Sequence, residues 1–204
     1  ETFAHVPMGC LQTPRRVLIL GGGDGILAKE LLKYDVVIDL VDIDKYVCQL
    51  SDIHLRDMND GSLTDPCVNV YNLDAVKYCS DVIFADITDP HPDSPSRSLL
   101  SKQAIGLYKS LLTEQGIFVT QVDNVQIAPE HRKNVQRTLR LNFNQVGEFA
   151  IAALTLSGLF GFVWASDTTT VKPNKIAVPT NWLNYERSMF CFNLLRLALG
   201  DRDE

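Results

Sequence analysis

Cysteine is sparse and unpatterned: Cys10, Cys48, Cys67, Cys79 and Cys191, none spaced as CxxC. An odd count without that spacing argues against a disulfide framework and a thiolate zinc site. The expectation is reduced, mostly buried thiols in a cytoplasmic compartment. Histidine is scarcer still, and His5, His54, His91 and His131 share no metal-pair spacing, so no metal is expected. No Ser-His-Asp nucleophile arrangement is visible. Basic charge is in deficit, 19 Lys and Arg against 25 Asp and Glu for a net charge of −6, so nucleic acid is a poor partner. The densest basic cluster, Arg132, Lys133, Arg137 and Arg140, falls on one face of a predicted helix and reads as solvated surface. No repeat or low-complexity tract is visible, and no signal peptide is expected. The long charge-free run Phe149–Ser166 has the length of a membrane span. Its glycines, Val and aromatic content read instead as two buried strands broken at Ser157-Gly158, so no membrane association is expected. The first residue is Glu1 rather than Met, which suggests a fragment or an incompletely represented chain.

What is present suits a single domain over residues 1–204: 46% hydrophobic and 22% charged residues, enough to fold without cross-links or metal. Buried strands are predicted at Arg16–Leu20, Val36–Val41, Val68–Asn72, Val82–Asp86 and Gly116–Gln121. Helices are predicted at Ile26–Lys33, Lys45–Leu55, Ser101–Leu112 and Pro129–Phe143, with a short helical piece at Ala75–Tyr78. Strands near Phe149–Leu156 and Gly161–Ser166 close the sheet as an antiparallel hairpin, and Asn181–Leu199 lies in a mainly helical tail, residues 181–204. This alternation predicts an α/β fold, a doubly wound and mostly parallel Rossmann-like sheet. Ligands of such sheets bind at the carboxyl ends of the strands.

The chemistry concentrates there. Gly21, Gly22, Gly23 and Gly25 follow an apolar strand and open a helix, with the Gly-x-Gly-x-Gly spacing of nucleoside-type methyltransferase folds rather than the dinucleotide form. Ile19 stands where such folds usually carry an acid, two residues before the first glycine, and an acid appears inside the loop at Asp24 instead. A carboxylate in a binding loop is costly unless a cation lies opposite. A sulfonium donor that has lost its α-carboxylate and keeps only an ammonium group supplies that cation. Asp24 can also cap the helix beginning at Ile26. Asp42 ends the second strand, where an acid binds ribose hydroxyls, and Asp44 can cap the next helix. Asp74, beside Ala75, can accept from an adenine amino group or cap a helix. Asp86 and Asp89 end the fourth strand as a pair able to bind an ammonium and accept its proton; a turn built of Asp and Pro is the simpler reading of the same residues. Gln121 and Asp123 end the fifth strand and add another carboxylate to the crevice.

Together these residues resemble the polyamine aminopropyltransferase family, of which spermidine synthase is the usual member. Val17 to Glu30 meets every position of the family's glycine-rich signature. His5-Val6-Pro7, Val41-Asp42-Ile43-Asp44, Asp74-Ala75, Asp86-Ile87-Thr88-Asp89-Pro90 and Gly161-Phe162 through Ala165-Ser166 recur in family order, over about residues 1–166. The resemblance implies decarboxylated S-adenosylmethionine as co-substrate, no prosthetic group, and a diamine acceptor such as putrescine, giving spermidine and methylthioadenosine. It implies Asp86 as the proton acceptor. It places Gly21, Gly22, Gly23, Asp24, Gly25, Asp42, Ile43, Asp74 and Ala75 at the donor. It places Asp24, Asp86, Asp89, Gln121 and Asp123 at the polyamine, and residues His91 to Arg97 in a loop covering both substrates. It also implies a homo-oligomer. The sequence departs from the pattern in several places. Only Glu1 remains of the family's Tyr-His-Glu segment, so residues 1–15 read as the remnant of an N-terminal segment, and the family's N-terminal β-hairpin domain is expected to be missing. Asp42 replaces a glutamate, and Gln121-Val122-Asp123 replaces Gln-x-Glu. Two other readings share the glycine loop: a small-molecule methyltransferase, and a non-catalytic nucleoside- or polyamine-binding homologue.

Overall fold

Runs such as Val17-Leu18-Ile19 and Ile83-Phe84-Ala85 have no polar side, which requires a sheet covered on both faces. The computed structural model, which describes residues 1–72, 79–87, 95–153 and 158–199, shows that sheet. Its strands are β1 (Arg16–Gly21), β2 (Val37–Val41), β3 (Val68–Tyr71), β4 (Ser80–Asp86), β5 (Leu112–Asn124), β6 (Gln145–Ala153) and β7 (Gly158–Ser166). Their order is β3-β2-β1-β4-β5-β7-β6. The first five are mutually parallel, and β7 and β6 run antiparallel at the end. The charge-free run is therefore a hairpin, with Phe149 opposite Phe162, and no described helix is long and apolar enough to cross a membrane.

The helices are α1 (Thr2–Met8), α2 (Ile26–Leu31), α3 (Lys45–His54), α4 (Arg56–Asn59), α5 (Lys102–Ser110), α6 (Pro129–Arg140) and α7 (Tyr185–Leu199). Short 3₁₀ helices occupy Ser62–Thr64 and Pro95–Leu100. Alternate strand residues feed two cores. Val17, Ile19, Ile38, Leu40 and Phe84 pack beneath α1 and α2. Leu18, Ile83 and Phe118 pack against Ile105 and Tyr108 of α5 and Val135 and Leu139 of α6. Each fully buried large side chain contributes about 1.5–3 kcal/mol.

Four expectations need correction. The predicted helix Lys45–Leu55 ends at His54, and a second short helix follows. β5 starts at Leu112, earlier than expected, and its pairing with β4 slips between Ser80 and Val82, so the extra residues form an irregular entry to the strand. Two of the five thiols are buried, Cys48 and Cys191; Cys67 and Cys79 are exposed at strand beginnings, and all five are free. Arg132 leaves the solvated basic face: its guanidinium binds both carboxylate oxygens of Glu148 on β6, at 2.7 and 2.9 Å. The predicted helical piece Ala75–Tyr78 lies outside the described residues.

Candidate active site

The strand order turns back on itself between β1 and β4, which is where open sheets of this kind bind ligands. Gly21 and Asp86 are register partners at that point. The two strand ends press together so closely that a Cβ on Gly21 would stand 2.2 Å from the Asp86 carbonyl oxygen, and its φ is +82°. Only glycine fits there. The Gly22 N–H donates to the same carbonyl at 3.0 Å.

From this point the loop is held on three sides. Toward β2, Asp42 accepts the Gly23 N–H on Oδ2 at 3.0 Å and the Asp44 N–H on Oδ1 at 2.9 Å. A Cβ on Gly23 would meet Asp42 Oδ2 at 2.6 Å, so this glycine permits the approach. Toward α2, Asp24 Oδ1 accepts the Ile26 N–H at 2.9 Å; the N-cap is Gly25, so Asp24 closes a turn ahead of the helix rather than capping it, and the carboxylate's other oxygen remains available. The third side was not foreseen. Asn59 and Ser62, both fully buried, donate to the Asp24 and Gly25 carbonyls at 3.0 and 2.7 Å. The signal for them lay in the turn-forming sequence Asn59-Asp60-Gly61-Ser62.

Asp86 closes the front. Burial first, and then the Asp24 and Asp42 charges, push its carboxyl up from 3.8 to about 6. Asp24, Asp42 and Asp86 thus form one electrostatic cluster around the glycine loop, whereas the sequence suggested Asp86 and Asp89 as the coupled pair. Asp44 caps α3 through the Tyr46 N–H at 2.8 Å, and Ile43 beside it is 84% exposed at the mouth of the site. Ile19 is fully buried beneath the loop.

The fifth strand contributes differently from expectation. The Gln121 Nε2 donates to the Ile87 carbonyl at 2.7 Å, fixing the chain just past Asp86. Asp123 lies where the pairing of β5 with β7 slips, in the left-handed region at φ 59°. Its charge raises His131 on α6, against a stronger downward push from burial. Asp123 is not among the groups that shift Asp86. Asp74, Ala75 and Asp89 lie outside the described residues, as do residues 91–94 of the expected covering loop. Among the described residues no group of three or more His, Cys, Asp or Glu side chains could hold a metal ion.

The His5-Val6-Pro7 segment also has a physical role that the sequence did not reveal. His5 is fully buried. Its Nε2 bonds Glu30 at 2.7 Å and its Nδ1 bonds the Tyr34 hydroxyl at 3.0 Å. Burial outweighs Glu30 and pushes His5 downward. The neutral tautomer that satisfies both contacts donates from Nε2 to Glu30 and accepts at Nδ1 from Tyr34. Glu1 in turn accepts from the backbone N–H groups of Asn181, Trp182 and Leu183, tying the start of α1 to the segment before α7.

Residues 1–175 match the spermine/spermidine synthase domain. Polyamine aminopropyltransferase 1 of Hyperthermus butylicus is 35% identical over 178 residues, covering 82% of this chain and 61% of that protein. The polyamine aminopropyltransferase of Aeropyrum pernix is 32% identical over 176 residues, covering 82% and 56%. The chain therefore spans about three-fifths of the length of these curated relatives. A crystal structure of spermidine synthase in complex with the transition-state analogue AdoDATO superposes with a TM-score of 0.86 at 25% identity, covering 98% of this chain and 74% of that one. Spermidine synthase from Thermotoga maritima gives 0.82 at 25% identity. A matching domain over most of the chain, relatives of one activity and a shared sheet lead to one conclusion: this chain belongs to the spermine/spermidine synthase family.

Proposed function

We propose that this chain carries the catalytic domain of an aminopropyltransferase, a transferase of polyamine biosynthesis. It moves the aminopropyl group of decarboxylated S-adenosylmethionine to a diamine, putrescine first among them. The observation that carries this reading is Asp86: a carboxylate raised to about 6 at the topological switch point, beside a glycine loop bearing Asp24.

The acceptor amine is protonated near neutral pH, since alkyl ammonium groups titrate near about 10. It must lose a proton to expose its lone pair. Asp86 receives that proton, directly or through a water. The amine nitrogen then attacks the aminopropyl carbon next to sulfur, a C–N bond forms, the C–S bond breaks, and its electron pair neutralises the sulfonium. The products are the alkylated amine, spermidine from putrescine, and methylthioadenosine. Sulfonium is already a good leaving group, so the chain's work is positioning and proton removal. In this reading Asp42, anchored by two backbone N–H groups, offers its remaining lone pairs to the ribose hydroxyls. Asp74 and Ala75 line the adenine, with Ile43 packing on it. Asp24 faces the donor's ammonium, and Asp89, Asp123 and the free Oε1 of Gln121 hold the acceptor.

Asp86→Asn tests this. Turnover should fall by roughly 10²–10⁴-fold, while calorimetric binding of methylthioadenosine stays near that of the unsubstituted chain. Unchanged turnover would remove Asp86 from the mechanism.

A further inference from the structure

The segment between α3 and β3 touches no proposed substrate, yet it contains the two most completely buried polar side chains near the glycine loop. Asn59 uses its whole amide. Nδ2 donates to the Asp24 carbonyl at 3.0 Å and to the Ser51 carbonyl at 3.2 Å, and Oδ1 accepts the Gly61 N–H at 3.0 Å. A reversed amide would set an oxygen against two carbonyls, so the orientation is fixed by its partners. Ser62 Oγ donates to the Gly25 carbonyl at 2.7 Å. Between them, Asp60 at φ 55° and Gly61 at φ 70° are both left-handed. For a non-glycine residue this conformation costs energy and persists where the surroundings enforce it. The double reversal is what returns both side chains to the same loop. Lys29 Nζ adds a third bond, to the Met58 carbonyl at 2.8 Å.

We propose that Asn59 and Ser62 are positioning residues of the donor site. They orient the peptide planes at Asp24 and Gly25 and thereby aim the Asp24 carboxylate. The coupling is geometric. The Gly25 carbonyl and the Ile26 N–H belong to one planar peptide. Ser62 fixes the carbonyl end, and the N–H end holds Asp24 Oδ1. Asn59 fixes the preceding plane through the Asp24 carbonyl. Without these bonds the Asp24 carboxylate loses its aim, and the loop must be ordered by the ligand at a cost in affinity. This rests on the reading of the loop as the donor site.

The test uses the full chain and three variants: Ser62→Ala, Asn59→Ala and, as a structural control, Asn69→Ala. The control removes a comparable bond, from Asn69 Nδ2 to Asp39 Oδ1 at 3.0 Å, which touches no loop residue. Decarboxylated S-adenosylmethionine, which carries the ammonium that Asp24 faces, and methylthioadenosine are titrated calorimetrically, and amide hydrogen exchange at Gly25 and Ile26 is followed without ligand. Ser62→Ala and Asn59→Ala should each weaken binding by roughly 5- to 30-fold and speed exchange at both amides. Asn69→Ala should lower the melting temperature and change neither readout. Lower melting temperatures with unchanged affinity and exchange in the two loop variants would overturn the proposal. Ser62→Ala, which removes one oxygen, decides the matter if Asn59→Ala does not fold. If the unsubstituted chain fails to bind methylthioadenosine, the donor reading falls, and the exchange rates still decide whether Asn59 and Ser62 hold the loop.

Discussion

Burial and two neighbouring carboxylates hold the Asp86 carboxyl at about 6 in the folded chain against an ordinary 3.8. Between those pH values the folded chain retains a proton that the unfolded chain has released. Stability therefore falls as pH rises through this window, because the folded state binds more protons there. Above pH 6 the ionised Asp86 destabilises the fold by up to roughly 3 kcal/mol. Asp86→Asn removes that charge. Denaturant unfolding should show the variant more stable than the unsubstituted chain by about 1–3 kcal/mol at pH 8, with the difference vanishing near pH 3.5. A variant equally stable at both pH values would mean that Asp86 is not held in a charge-hostile site. The same group predicts the pH dependence of the reaction. The base form grows in through pH 6, so kcat/KM should rise across that range as a single ionisation. A profile flat from pH 5 to 8 would assign the proton to another acceptor.

At the scale of the element, α1 and α2 are joined by the chain of contacts Tyr34–His5–Glu30, to which Lys33 adds a bond to Glu30 at 2.8 Å. Tyr34→Phe leaves the buried His5 Nδ1 without a donor, so urea unfolding should show a loss of about 1–3 kcal/mol; no loss would mean that the ring finds another partner. The contrast between α1 and the strands shows what the sequence could reveal. Strand runs such as Val17–Leu20 declare themselves by unbroken hydrophobicity, and their alternation with helices announces a mostly parallel sheet, while the order of its strands is set by contacts that no local pattern displays. α1 has Pro7 inside it and no side-chain cap, so local signals argue against it. It exists because Phe3 stacks on Phe162 and meets Phe84 edge-on, at ring separations of 5.1 and 5.2 Å. Those are contacts between residues far apart in sequence, which no local pattern displays. The site divides the same way. Asp24, Asp42 and Asp86 were legible because each ends or follows an apolar strand. Asn59 and Ser62 were not, because their importance comes from carbonyls 35 and 37 residues away. Gln121 was legible as a polar residue of the fifth strand, while its bond to the Ile87 carbonyl was not.

At the scale of the whole molecule, the sheet's reversal between β1 and β4 gathers carboxylates from three separate strand ends into one crevice, in a chain of net charge −6. If the crevice is the donor site proposed above, this arrangement should discriminate between donors by charge. Intact S-adenosylmethionine brings an α-carboxylate to the crevice, and its decarboxylated form does not. A carboxylate about 5 Å from Asp24 or Asp86 would be repelled by roughly 3 kcal/mol at an effective dielectric of 20, and exposure to solvent at the mouth would reduce this. Parallel calorimetric titrations at low and physiological salt should therefore favour the decarboxylated donor by at least about tenfold, with the margin narrowing as salt rises. Methylthioadenosine, which carries no carboxylate, ammonium or sulfonium charge, should bind with little salt dependence. A preference for the intact donor would move the reading to a methyltransferase, since the crevice would then hold a group that accepts the α-carboxylate. Equal binding of all three would mean that the site recognises only the nucleoside, as expected of a homologue that binds without transferring.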